Sequence, residues 1–284
     1  MVQPPQKSIV VGIDGSIAAI HAAEWAAPEA AARDLPMTLV YVADPVAEDP
    51  VANAPDLEFD YGRAALDAAR RAVESVDESV KIETEVLRGT IDSTLAELSD
   101  GAAMVVVGSV GIGFFAEMIL GSTASAVART AHCPVAIIRA PHRYAEVPAA
   151  GPIVVPIEGD QHIDAVLAAA FFEGNTRRAE VTVPQTRRQR PWAVHSASTT
   201  VSRGAVSVEE KLSSLRSRYP DVMAYSLIID GYPIAYLEQL SKSAQLVVVG
   251  RNKSDSEWGA SLDSTAHAMV YHAKCPVLIV PSDD

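Results

Sequence analysis

Short apolar runs alternate with stretches of helical spacing along this chain, and the alternation is written twice. Ile9–Ile13 is a continuous apolar run, as expected of a strand covered on both faces. Apolar positions at helical spacing follow in AIHAAEWAAPEAAA, and MTLVYVAD then reads as a second strand. Beyond a loop, Leu66, Ala69, Val73 and Val76 fall at i, i+3, i+7 and i+10, one stripe of an amphipathic helix. A strand near Ile82–Leu87, a short helix near Ile91–Leu98 and a strand over Ala103–Val107 come next. A helix opening at Ser122 and a strand over Val135–Ile138 complete the set. Strands alternating with helices predict a parallel sheet covered on both faces.

The second half repeats the first. KSIVVGIDGS (7–16) is echoed by GPIVVPIEGD (151–160), and EVLRGTIDSTLAEL (85–98) by SLIIDGYPIAYLEQL (226–240). GAAMVVVG (101–108) returns as KSAQLVVVG (242–250), with an offset of 142 residues held from Gly89/Gly231 through to Cys133/Cys275. A period of that size makes the repeat unit a whole domain rather than a solenoid turn. Two domains are expected, at 1–142 and 151–284, divided in the aperiodic APHRYAEVPAAG. SVEE (207–210) offers a capping box to the second long helix of the second copy.

Composition narrows the options. Nearly half the chain is apolar, at 49%, enough for a substantial core. No apolar run approaches the roughly 20 residues needed to cross a bilayer, so no membrane span is expected. MVQPPQKS lacks the apolar centre of a secretion signal, and two cysteines in 284 residues fit a reducing cytoplasm. The cysteines sit just before the last strand of each copy, which suits small hydrophobes better than redox partners. A net charge of −13 opposes attraction to nucleic acid. One basic stretch, NTRRAEVTVPQTRRQRP, carries Arg177, Arg178, Arg187, Arg188 and Arg190 and reads as a solvated loop.

The candidate chemistry lies in two loops of the first copy. In an open parallel sheet, ligands bind beyond the carboxyl ends of the strands, where strand order reverses. GIDGS follows the first strand there, and a glycine loop follows the fourth, spaced G-x2-G-x9-G-S over Gly108, Gly111, Gly121 and Ser122. Ser122-Thr123 opens a helix, whose free N–H groups and positive end suit an anion such as phosphate. The same residues also serve as plain turn glycines and an ordinary N-cap, so the loop alone does not decide the matter.

The motifs VVGIDGS, VVVG followed by G-x2-G-x9-G-S, and CPVAII closely resemble the universal stress protein family, over nearly the whole chain as a tandem pair. The resemblance implies two Rossmann-like α/β domains of the adenine nucleotide alpha hydrolase-like type, each a five-stranded parallel sheet. Their final strands would run along a shared edge. It implies ATP as ligand, with Gly12 and Asp14 beside the adenosine and the backbone of Val42 at the adenine. Gly108, Gly111, Gly121, Ser122 and Thr123 would then surround ribose and phosphates. From Gly108 through Ala128 there is no Lys or Arg, and Glu117 adds a negative charge. A triphosphate there needs Mg2+ or Mn2+ beside the main-chain N–H groups, and fast hydrolysis lacks the positive charge it requires.

The second copy departs from the pattern. Its loop reads GRNKSDSEWGASLDST, with Lys253 at the second glycine and Asp263 at the third, while Pro156 and Glu158 replace Gly12 and Asp14. A carboxylate at the phosphate end repels a triphosphate. The expectation is one competent site, in the first copy. The seven histidines show no zinc spacing, and no G-x-S-x-G or C-x-x-C starts hydrolase or redox chemistry. ADPVAEDPVANAPDLEFDYG (43–62) reads as a flexible acidic surface segment or, at the edge of the pocket, as a lid. Phe114 and Phe115 read as packing residues. The expected role is an ATP-binding stress-response regulator, acting with a homodimeric partner chain and an unidentified regulatory protein. The rivals are a slow ATP hydrolase and an interaction module with vestigial pockets.

Overall fold

A computed structural model describes residues 7–43, 54–110, 120–139, 150–157, 163–186, 208–229, 233–251, 262 and 264–282. The first copy runs β1 (Ile9–Gly12), α1 (Ile17–Arg33), β2 (Met37–Ala43), α2 (Ala54–Val76), β3 (Ile82–Arg88), α3 (Ile91–Ser99), β4 (Met104–Gly108), α4 (Ser122–Thr130) and β5 (Val135–Ile138). The second runs β6 (Ile153–Val154), α5 (Ile163–Arg177), β7 (Val181–Thr186), α6 (Val208–Arg218), β8 (Ala224–Ile229), α7 (Pro233–Ser241), β9 (Leu246–Arg251), α8 (Ser264–His272) and β10 (Val277–Pro281).

All ten strands form one sheet, ordered β3-β2-β1-β4-β5-β10-β9-β6-β7-β8. Neighbours are parallel within each copy, and the two copies join through one antiparallel pair, β5 with β10. Ile137 lies opposite Val277 and Val135 opposite Ile279, so the final strands do share an edge. Side chains alternate across the sheet and build two cores. Ile9 and Val11 pack on the side of α1, α2 and α5, while Val10, Val105 and Val107 pack on the side of α3, α4, α7 and α8. Each core crosses from one copy into the other.

Two parts of the sequence reading are corrected here. The acidic stretch 43–62 is not loop throughout, because α2 begins at Ala54 and takes in its second half; positions 44–53 lie outside the described residues. Within α2, Leu66, Ala69 and Val73 are buried as expected, but Val76 is half-exposed where the helix runs past the core. The basic stretch also begins inside structure: Arg177 ends α5 and Val181–Thr186 is β7. Arg187, Arg188 and Arg190 lie outside the described residues, as does Ser207 of the expected capping box.

Arg177 is in fact part of a buried group of four charges between the copies. Arg33 Nη2 donates to Glu173 Oε1 at 2.7 Å and Arg177 Nε to Glu173 Oε2 at 3.0 Å; both arginines also donate to Glu29. The Glu29 and Glu173 side chains are fully buried. Arg33 lies over the Phe172 ring at 4.3 Å and Arg177 over Trp25 at 4.8 Å, which shields the far faces of both guanidinium groups. Burial, reinforced by the Glu173 carboxylate, outweighs the two arginines and pushes Glu29 up to about 7.

Candidate functional site

Strand order reverses between β1 and β4, because β2 and β3 lie on one side and β5 on the other. That switch point is where a crevice opens in such a sheet. A cavity of about 280 Å³ occupies it. Its walls are Gly12, Ile13 and Asp14 from the end of β1, Val40, Tyr41 and Val42 from β2, Gly108 and Val110 beyond β4, and Gly121, Ser122 and Thr123 at the start of α4. Seven of the eight expected site residues therefore meet in one hollow; Gly111 lies outside the described residues.

The local structure of each wall follows from its sequence. Asp14 accepts a hydrogen bond from the Ser16 N–H at 2.9 Å, closing the β1–α1 turn. Ser16 then caps α1, its hydroxyl accepting from the Ala19 N–H at 3.1 Å. Gly15 has φ +83°, so the turn needs glycine for its backbone, and the hydroxyl of the half-exposed Tyr61 lies close over it. At Gly108 a Cβ would stand 2.8 Å from the Ala18 carbonyl carbon, so α1 rests directly on the end of β4.

The start of α4 is different from that of α1. Its N-cap is Gly121, which has no side chain to accept from the first turn, and no acidic residue sits in that turn. Among the described residues no N-cap side chain accepts from the free N–H groups there. Gly121 itself is anchored, its N–H donating to the Ser109 carbonyl at 2.8 Å. Ser122 and Thr123 add two hydroxyls to the same wall.

The sequence reading missed Ser16, Tyr41, Glu58, Ile91 and Leu95, which also line the cavity. Glu58 had a signal, since it lies in the acidic segment offered as a lid; as part of α2 it forms a fixed wall. The Tyr41 and Tyr61 rings meet edge to face at 6.0 Å beside it. Burial raises the Tyr41 phenol above its ordinary value, and Glu58 adds to the effect. Among the described lining residues Asp14 and Glu58 carry charge, both negative, and there is no Lys, Arg or His.

In the second copy, Glu158, Lys253 and Asp263 lie outside the described residues. Cys133 and Cys275 are buried and free, each pushed up to about 12 by its apolar surroundings. Among the described residues no cluster of His, Cys, Asp and Glu could hold a metal ion, and no helix is long and apolar enough to cross a membrane. His142, His162 and His195, like Phe114 and Phe115, lie outside the described residues.

Comparison with known proteins bears on this arrangement directly. The family model for the universal stress protein family matches twice, over residues 6–139 and 150–281. The chain belongs to the universal stress protein family. Universal stress proteins of Mycobacterium tuberculosis match over nearly their whole length. Rv2028c is 36% identical over 282 residues, covering 98% of this chain and 96% of the relative. Rv2624c is 34% identical over 284 residues, covering 98% and 97%. Among solved structures, a universal stress protein from Archaeoglobus fulgidus superposes with a TM-score of 0.70 over 98% of this chain and 100% of its own, at 15% identity, a likeness of fold.

Proposed function

We propose that the first-copy cavity binds an adenine nucleotide, ATP together with Mg2+ or Mn2+, and that the chain is a nucleotide-dependent regulator of the stress response. The observation that carries this is the start of α4, where the N-cap is Gly121 and offers no side-chain oxygen, opening into a hollow at the β1–β4 switch point. Main-chain N–H groups and the positive end of the helix favour a phosphate tail. The apolar walls from Ile13, Val40, Val42 and Leu95 suit a flat base. Gly12, Asp14 and Val42 would hold the adenosine, and Gly108, Gly111, Gly121, Ser122 and Thr123 the ribose and phosphates.

With two carboxylates and no basic residue among the described walls, a triphosphate needs a divalent cation. Its role is to neutralise charge that the chain leaves uncompensated. The same composition favours binding and release over turnover, because no cationic side chain stands among the described walls to meet a transferring phosphoryl group. The output is then a shape read by a regulatory protein or a second tandem chain, and the exposed β8 edge, with Tyr225, Leu227 and Ile228, offers a surface for it. The second copy, with Asp263 where the first has Gly121, is impaired.

The test is calorimetry of the purified chain with ATP, in excess Mg2+ and in excess chelator, after identifying any nucleotide that co-purifies. One site per chain, strongly weakened by chelator, is expected. Equal affinity in both buffers removes the cation; two equal sites remove the asymmetry; no binding removes the function. Gly121→Asp should weaken ATP by at least about tenfold: like charges about 4 Å apart near a surface repel by ~4 kcal/mol, roughly three factors of ten, and the bound cation screens part of this.

A further inference from the structure

The helix that opens into the cavity ends against the other half of the molecule. At the C-terminal end of α4 the carbonyls of Ala128 and Ala131 both accept from the guanidinium of Arg251, Nη1 reaching Ala128 at 3.0 Å and Nη2 reaching Ala131. Arg251 is the last residue of β9, in the second copy, and is only 5% exposed. Its main chain is fixed by pairing with Pro281 of β10 and by the Ser282 N–H, which donates to its carbonyl at 3.0 Å. A buried cation is costly unless something compensates it, and here the compensation includes the unpaired carbonyls and negative end of a helix.

The repeat makes this contact more telling. By the 142-residue offset, position 251 corresponds to Ser109. In the first copy that residue anchors the start of the glycine loop, its carbonyl holding the Gly121 N–H. In the second copy the same position carries an arginine whose side chain crosses the interface. Because α4 has nine residues, about 13 Å of stiff helix separates the Arg251 contact from the cavity. A shift at one end is passed to the other as a rigid-body movement.

We propose that Arg251 is a positioning residue for the first-copy nucleotide site: it sets where α4 stands, and so where the first-turn N–H groups meet the phosphates. Nucleotide affinity then depends on the docking of the second copy, and by linkage the nucleotide tightens that docking. This inference rests on the nucleotide reading of the cavity. Arg139 provides an internal control, since its Nη2 donates to the Val270 carbonyl at 2.7 Å and so its side chain braces α8 of the second copy rather than α4.

The experiment compares the full chain with Arg251→Met, Arg251→Lys and Arg139→Met, measuring Mg-ATP by calorimetry and adenosine by displacement of a fluorescent ATP analogue. The expected result for Arg251→Met is ATP affinity lowered by about tenfold, within the usual range for coupled sites, with adenosine within about twofold of wild type. Arg251→Lys, which keeps the charge but not the fork, should fall between, and Arg139→Met should match wild type. Where the methionine variant does not fold, the lysine variant carries the same comparison. Unchanged ATP affinity, or equal losses of ATP and adenosine, overturns the proposal while leaving the nucleotide site in place. A wild-type chain that binds no nucleotide removes both.

Discussion

Glu29→Gln should make the protein more stable relative to wild type as pH rises, the reverse of what is usual when an ion pair is broken. Glu29 is held at about 7 in the folded chain, against an ordinary value of 4.5. A carboxyl raised by folding is protonated more readily in the native state than in the unfolded one. Its contribution to stability is therefore complete below pH 4.5 and is lost as pH rises through 7. A rise of about 2.5 pH units at roughly 1.4 kcal/mol each is on the order of 3 kcal/mol. About 2 kcal/mol of that falls between pH 5.5 and 8.5, a window above the sequence pI of about 5.0. Glutamine takes the place of the protonated acid and cannot ionise, so the loss disappears in the variant. Urea unfolding of both proteins at several pH values gives the difference curve, from which histidines and other groups cancel. An upward slope of the variant-minus-wild-type difference, totalling about 2 kcal/mol over that window, is expected. A flat difference, or one falling with pH, would refute the reasoning and show that Arg33 and Arg177 hold Glu29 ionised throughout.

Other outcomes follow from neighbouring features. Arg33→Ala leaves Glu29 and Glu173 to share Arg177, and should lower stability at pH 8 by about 3–5 kcal/mol in urea unfolding. Gly108→Ala drives a Cβ into the Ala18 backbone, so α1 must shift; calorimetric melting should fall by several degrees, and ATP affinity with it. Cys133 and Cys275, both buried with thiols pushed up to about 12, should resist alkylation by iodoacetamide at pH 8 and react only on unfolding, as followed by mass spectrometry.

The strands were legible because burial on both faces leaves a mark in the sequence. IVV of β1 and MVVV of β4 could be read without any partner in view, and the glycine loop with its Ser122-Thr123 helix entrance located the switch point. What stayed hidden depends on residues far apart. Glu29 lies in a run of alanines and Glu173 in an aromatic stretch 144 positions later, and nothing local to either announces a shared buried group. Arg177 read as part of a basic loop because four further arginines follow it within thirteen residues. Arg251, a cation directly after VVVG, gave no sign that its target lay 120 residues back, at Ala131. The start of α2 was obscured by Pro55 and the acidic residues around it, which carry turn chemistry but also suit a helix's first turn.

A single antiparallel seam, β5 against β10, turns two halves into one sheet, and the halves are covalently joined. In a pair of identical chains every substitution at such a seam appears twice, so a change that helps one side must be tolerated by the other. Here the duplicate is released from that obligation. Position 251 is arginine while its counterpart is Ser109, and the first loop has Gly111 and Gly121 where the second has Lys253 and Asp263. Fusion thus allows a division of labour: one half free to hold a small molecule, its twin free to serve as the brace.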